Sequence, residues 1–177
     1  MRGHAGQQPA AGLRSTHLKY LDAYSADLRQ QAQQLHDEGR LGTVLAARYP
    51  EAHTVRNDAA LRDFVGGLKA RHMRQATALS NVVYDSRLRI VSQALGSHTR
   101  ISRVQGNRLK AKREIRIASV FKEAPAAFLR MIVVHELAHL REPDHDRAFY
   151  ALCRHMEPEY HQLEFDLRLW LNVVDGS

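Results

Sequence analysis

The stretch FLRMIVVHELAHLREPDH, residues 128–145, decides the fold of this 177-residue chain. Its first part is almost wholly apolar, and Pro125 just before it suits the first turn of a helix. Pro143 lacks the backbone N–H that a helix interior needs, so it ends the segment. The pattern predicts a buried helix that runs to about Arg141, and the polar residues within it become candidates for a functional role.

The same helix carries a His-Glu-x-x-His motif, formed by His135, Glu136 and His139. Residues four positions apart lie on one face of a helix, so both imidazoles can bind one metal ion. The helix break lets the chain turn back and bring His145 to the same ion, which gives the three-ligand site typical of catalytic zinc. Zn²⁺ lowers the pKa of bound water from 15.7 to about 7. We therefore predict that the three histidines bind Zn²⁺ and that Glu136 is the general base.

A buried histidine pair without metal is the alternative interpretation of this motif. The third histidine and the helix break before it favour the metal site. A ligating histidine normally donates its second N–H to a carboxylate or a carbonyl. The acidic candidates close in sequence are Glu142, Asp144, Asp146, Glu157 and Glu164. The candidates for stabilising a developing oxyanion are Tyr150, Tyr160 and His155.

The N-terminal part of the chain is predicted to be helical. Residues 1–16 show no hydrophobic periodicity and are expected to form a disordered tail. Apolar residues then recur every three or four positions, and Gly39, Pro50 and Asn57 supply signals for helix ends. The pattern predicts an N-terminal helical extension over 17–75, with helices at 17–38, 40–49 and 57–72.

A small sheet and further helices follow this extension. Alternating apolar and polar residues predict strands at 81–84, 87–91, 98–104 and 112–120. A turn at Asp85-Ser86 predicts a hairpin, so the sheet is expected to be mostly antiparallel. Three helices close the chain. Helices, then strands, then helices give an α+β class, with one domain over 76–177 in which the sheet packs on the active-site helix.

The composition is basic and includes a single cysteine, so no internal disulfide can form. Lys and Arg number 26 against 19 Asp and Glu, which gives a net charge of +7. The stretch 100–116 concentrates this charge and predicts a weak contact with nucleic acid. A solvated hairpin whose charges keep an edge strand from pairing is the simpler interpretation. Because no membrane span or secretory signal is visible, we expect a cytoplasmic protein with no membrane partner.

Three segments also carry a resemblance to a known family: VHELAHLREPDH at 134–145, FY at 149–150 and EPEY at 157–160. Together they resemble the YgjP-like metallopeptidase family, which is related to the SprT-like minimal zincins. Glu142 stands where metzincins with the same histidine spacing have glycine, and Leu95 stands where family members usually have tryptophan. The resemblance implies a compact zincin-like fold, with Zn²⁺ below a small sheet whose edge strand pairs with substrate.

Three functions are compatible with this reading. The first is a zinc-dependent, metallopeptidase-like hydrolase that acts on a peptide or protein. The second is a metal-dependent hydrolase of nucleotide phosphoanhydride bonds, a pyrophosphatase, because the resemblance extends to proteins credited with that activity. The third is a non-catalytic zinc module associated with nucleic acid. The sequence assigns neither a substrate-binding residue nor an oligomeric state.

Overall fold

The computed structural model describes residues 17–88 and 113–176. Within these ranges the helices and strands confirm a mixed α and β class. In chain order they are α1 (Ala26–Asp37), α2 (Leu41–Arg48), α3 (Asp58–His72), β1 (Asn81–Asp85), β2 (Glu114–Ala118), a 3-10 turn (Ser119–Lys122), α4 (Ala126–Ala138), α5 (Arg147–Met156) and α6 (Tyr160–Asp175). Among the described helices, none combines the length and the apolarity needed to cross a membrane.

Local sequence signals set several helix ends where they were predicted. Asn57 caps α3, because its side-chain oxygen accepts the N–H of Ala60 at 2.9 Å. Gly39 follows α1 with a φ of 68°, a left-handed conformation that glycine adopts without strain. The N–H of Arg40 closes this turn by donating to the Leu35 carbonyl at 2.9 Å.

The first helix is shorter than predicted. It begins after Ser25, whose side chain caps its first turn, whereas the periodicity predicted helix throughout 17–38. Before that cap, Tyr20 has a φ of 69°, which a right-handed helix does not allow. The side chain of Asn172 satisfies the backbone here: it accepts the Lys19 N–H at 2.6 Å and donates to the Lys19 carbonyl at 2.9 Å. A contact from across the fold thus overrides the local pattern.

The two described strands are parallel, so the prediction of a mostly antiparallel sheet is wrong for them. Asn81 lies opposite Glu114, and the register continues to Asp85 opposite Ala118. The predicted hairpin fails because Asp85 ends its strand in a turn, where its carboxylate accepts the Arg87 N–H at 2.9 Å. A parallel pair needs a long crossover, which the chain between the strands supplies. Side-chain alternation is the same for either strand direction, so it could not reveal this.

Some predictions concern residues outside the described ranges. They are the tail at 1–16, the strand at 98–104, most of the strand at 87–91, Leu95, and the basic stretch as far as residue 112. The boundary between 75 and 76 also stays a prediction.

Two hydrophobic clusters hold the described helices together. The larger one surrounds α4 and includes Leu61 and Val65 of α3 and Ile115 and Ile117 of β2, each at most 1% exposed. The smaller one joins α1 and α2 to α6 through Leu21, Ala32, Leu41, Leu45 and Leu169. Since α6 contributes to both clusters, it is the element that connects the N-terminal helices to the core around α4.

Candidate metal centre

The end of α4 brings the three predicted histidines together. His135 lies in the last turn of α4, and His139 caps its C-terminus one turn later. The chain then turns tightly, with the Glu142 N–H donating to the Ala138 carbonyl at 3.0 Å. This turn returns His145 to the other two before α5 begins. The structure therefore places the three histidines as the helix period and the proline break predicted.

The Nε2 atoms of the three imidazoles form a small triangle. They are 3.2 Å apart between His135 and His139, 3.2 Å between His135 and His145, and 2.9 Å between His139 and His145. Three nitrogens bound to one tetrahedral Zn²⁺ at 2.0–2.1 Å would be about 3.3 Å apart. Three imidazole nitrogens that converge on one point suit a cation, and these atoms meet the geometry of a metal-binding group.

The outer nitrogens of two rings are held by hydrogen bonds. His139 Nδ1 lies 3.0 Å from the Glu142 carbonyl oxygen, which can only accept, so the proton is on Nδ1 and the Nε2 lone pair faces the centre. His135 Nδ1 lies 2.7 Å from the Tyr160 hydroxyl. Such partners orient metal-ligating histidines and fix their tautomer. The supporting groups found here are thus a carbonyl and a phenol.

The ring of Phe149 forms a floor beneath the cluster. Its centroid lies 5.0, 4.6 and 4.7 Å from the rings of His135, His139 and His145, and its side chain is fully buried. This packing limits rotation of the imidazoles and keeps one side of the cluster dry. The sequence reasoning missed Phe149, although its position four residues after His145 and the strong apolar face of α5 could have suggested it.

Burial sets the protonation of the ligand set. His135 is 2% exposed, and burial, with the neighbouring His139 and His145, holds its pKa well below the usual range. The neutral imidazole is the form that binds a metal. Burial also raises the pKa of the Tyr160 hydroxyl far above its ordinary value, so the phenol that contacts His135 keeps its proton.

Glu136 lies beside the ligand face of α4. It follows His135 and precedes His139 by three positions, so it shares a helix surface with His139. Its carboxylate is partly buried, and burial raises its pKa to about 7. Within residues 17–88 and 113–176 no hydrogen bond or ion pair holds it. An unengaged carboxylate at this position can exchange a proton with a bound molecule.

The other candidates take different places. Tyr160 is fully buried behind His135, so it supports a ligand and does not face substrate. Tyr150 is half-buried, with its ring 6.4 Å from that of His145. His155 packs against His72 instead. Among the acidic candidates, Asp146 caps α5, Glu157 pairs with Arg130, and Glu164 pairs with Arg168. Their carboxylates serve the fold.

Comparison with known proteins adds a family to this geometry. The model of the YgjP-like metallopeptidase domain matches residues 67–169. The chain is 54% identical to a protein named UTP pyrophosphatase from Escherichia coli (strain K12) over 159 residues, which cover 90% of this chain and 95% of that protein. No solved structure gives a significant match.

These relatives and the histidine cluster agree on a general chemistry. Both the family description and the relative's name describe hydrolases. Three histidines that could hold a metal ion fit a hydrolase that depends on one. The resemblance inferred from the sequence is confirmed: the chain belongs to the YgjP-like family of metallopeptidase-domain proteins.

Proposed function

We propose that this protein is a metal-dependent pyrophosphatase that hydrolyses a nucleoside triphosphate, with UTP as the first substrate to test. One observation carries the proposal: the 54% identity to the UTP pyrophosphatase extends over 90% of this chain and 95% of that protein. Little of either chain lies outside the shared sequence, so the two do not differ by a domain that could change the reaction. The products would be the nucleoside monophosphate and pyrophosphate.

His135, His139 and His145 would hold the metal. Three imidazole nitrogens suit Zn²⁺, whereas Mg²⁺ prefers oxygen ligands in an octahedral arrangement. When bound, the divalent cation would supply Lewis acidity, polarising a phosphoryl oxygen and lowering the pKa of nearby water. The contacts from Tyr160 and from the Glu142 carbonyl would keep the ligand nitrogens directed at the ion.

Glu136 would act as the general base. Its place between two ligands on α4 puts a carboxylate at the edge of the metal site. It would take a proton from water as the water oxygen forms a bond to a phosphorus of the α–β anhydride. The bond from that phosphorus to the bridging oxygen breaks, and the proton passes to the leaving phosphate group. Atoms and charge then balance for hydrolysis.

The test measures pyrophosphate release from UTP, CTP and ATP by the zinc-loaded protein. Glu136→Gln keeps the side-chain size but cannot accept a proton, so we expect kcat to fall by about 10²–10⁴-fold. Glu123→Gln is the matched control, because Glu123 forms only an exposed pair with Arg56. Wild-type protein that releases no pyrophosphate from any of the three nucleotides would overturn the proposal. Unchanged kcat in Glu136→Gln would overturn the role of Glu136 alone.

A zinc-dependent peptidase is the second candidate. The position of Glu136 between His135 and His139 favours it, because this arrangement suits attack of water on a peptide carbonyl. The same three proteins are therefore incubated with casein. Cleavage that is lost in Glu136→Gln and kept in Glu123→Gln would favour the peptidase. Metal binding without either activity would instead favour a non-catalytic zinc module associated with nucleic acid.

A further inference from the structure

A groove lies between α3 and the segment that leads into β1. It encloses about 490 Å³ and is lined by Arg62, Gly66, Lys69 and Arg74 on one side and by residues 78–82 on the other. None of the histidine cluster belongs to it. Three of the lining residues are positively charged, and no acidic residue lines it. It is therefore a separate site with a cationic wall.

The three cations have no carboxylate partner within the described residues. Lys69 Nζ donates to the Ala76 carbonyl at 2.8 Å, and Arg74 Nε donates to the Ala70 carbonyl at 3.1 Å. These bonds position the two side chains without neutralising their charge. Arg62 forms no hydrogen bond or ion pair in that part of the chain. Elsewhere, arginines are paired with carboxylates, as are Arg48, Arg116 and Arg130.

A carboxylate at the rim of the groove is already neutralised. Glu114 accepts a hydrogen bond from the side chain of Asn81 at 2.7 Å, and Asn81 lines the groove. The same Glu114 pairs with Arg116 at 3.1 Å. The positive charge of the groove is therefore not offset at this rim, and an anion entering it would meet uncompensated cations.

The spacing of the cations favours a chain of phosphates. Arg62 and Lys69 are seven residues apart on α3, about 10 Å along the helix axis. One phosphate cannot contact both, whereas successive phosphates of an extended polyanion can. The groove contains no aromatic residue, so bases have no stacking surface. We propose that it binds the phosphodiester backbone of a single-stranded nucleic acid, without regard to base sequence.

Two adjacent glycines provide a matched test of this proposal. Gly66 lines the groove, whereas Gly67 does not, because it lies about 100° further around α3. A Cβ added at either position meets nothing within 4 Å. Substitution by glutamate therefore adds the same charge to the same helix with equal steric freedom. Only one of the two variants places that charge in the groove.

Two arginines of α3 provide a second pair of variants. Arg62 lines the groove, and Arg71 lies nine residues later, about two and a half turns on and so on the opposite face. Glutamine at either position removes one positive charge. Because Arg62 makes no contact in the described protein, its loss should not disturb folding, which keeps the test valid if a glutamate variant is unstable.

The experiment measures binding of a labelled single strand of about 20 nucleotides to the full chain by fluorescence anisotropy over a range of salt concentrations. We expect Gly66→Glu to weaken binding at least about tenfold and Gly67→Glu less than about twofold. Arg62→Gln should weaken it about fivefold at 0.1 M salt and reduce the salt slope by about 0.7. Arg71→Gln should change both much less. UTP turnover should be the same in Gly66→Glu and wild-type protein.

Equal weakening within either pair of variants would overturn the proposal, because net charge alone would then explain binding. Absence of binding by the wild-type chain at low salt would overturn it as well. Displacement of the strand by UTP, or loss of UTP turnover in Gly66→Glu, would also contradict it, since the groove would then belong to the nucleotide site.

Discussion

The histidine cluster and the N-terminal helices are both supported by α6, but in different ways. At the start of α6, Tyr160 contacts His135 and supports the cluster. Further along the same helix, Asp166 and Asn172 hold residues 17–49, which form the N-terminal layer. The cluster receives a single hydrogen bond from α6 and is otherwise built from nearby residues. The N-terminal layer depends on α6 for both its polar contacts and its apolar cluster.

The two regions differ most in the sequence distance of their contacts. The ligand histidines lie within residues 135–145, whereas Arg48 and Tyr49 reach Asp166 at 2.8 and 2.6 Å across 118 and 117 positions. Local contacts close short loops, while distant ones require most of the fold to be in place. We therefore expect the cluster to keep its metal affinity when the N-terminal layer is weakened.

The largest effect is expected from removal of one ligand. His145→Ala leaves two nitrogens, so zinc should be lost on dialysis and hydrolysis should fall at least about 10³-fold, as loss of several kcal/mol of Lewis-acid stabilisation implies. Chelation of the wild-type protein should give the same loss, restored by Zn²⁺. Metal analysis and turnover check this, with His17→Ala as the control, because His17 lies in the exposed N-terminal layer. Stoichiometric zinc in His145→Ala would contradict the assigned ligand set.

The same contrast explains which features the sequence could predict. The helix period and the break at Pro143 were sufficient to group His135, His139 and His145, because the whole arrangement lies in one short segment. The start of α1 was not predictable, since Asn172 alters the backbone at Lys19 from the far end of the chain. Side-chain alternation could not reveal strand direction for a similar reason. The direction depends on a partner strand reached by a long crossover.

The support for the ligands was only partly predictable. The sequence indicated that a carbonyl or carboxylate would hold the outer nitrogens, and a carbonyl does so for His139. For His135 the partner is Tyr160, which the sequence suggested for oxyanion stabilisation. Nothing in a linear pattern shows that the start of α6 packs behind α4. That placement follows from the burial of apolar residues of both helices in one core.

The next largest effect concerns the apolar cluster of the N-terminal layer. Leu45 is 4% exposed in that cluster, so Leu45→Ala should lower the free energy of unfolding of the layer by about 2–5 kcal/mol. Zinc affinity should stay within about twofold of wild type, because no ligand or supporting residue is touched. Urea unfolding and chelator competition measure the two quantities. Leu28→Ala is the control, since Leu28 is 42% exposed on α1. A fall in zinc affinity in Leu45→Ala would show that the regions are coupled.

A smaller effect is expected when one hydroxyl is removed from each region. Tyr160→Phe loses the contact with His135, so zinc affinity should fall about 10–100-fold. Tyr49→Phe loses the hydrogen bond to Asp166, so unfolding should cost about 1–2 kcal/mol less while zinc affinity is unchanged. Chelator competition and urea unfolding of both variants test this. If the two variants lowered zinc affinity equally, α6 would transmit strain between the regions.

The smallest effect is a change in alkaline stability. Tyr20 donates to Asp175 at 2.8 Å, and burial together with that carboxylate raises its pKa to about 12. Its folded pKa lies above the unfolded value, so the stability it contributes is present below pH 10 and is lost as pH rises through about 12. Tyr20→Phe should therefore lose less stability than wild type between these pH values, as measured by urea unfolding.

Tyr84 provides the counterpart in the larger cluster. Burial raises its pKa to about 12 as well, and its hydroxyl donates to the Val55 carbonyl at 2.7 Å. If the molecule unfolds in one step, Tyr20→Phe and Tyr84→Phe should flatten the same transition. If the N-terminal layer unfolds first, Tyr20→Phe should affect only the earlier transition, and Tyr84→Phe only the later one. The second outcome would mean that α6 keeps supporting the histidine cluster after it has released the N-terminal helices.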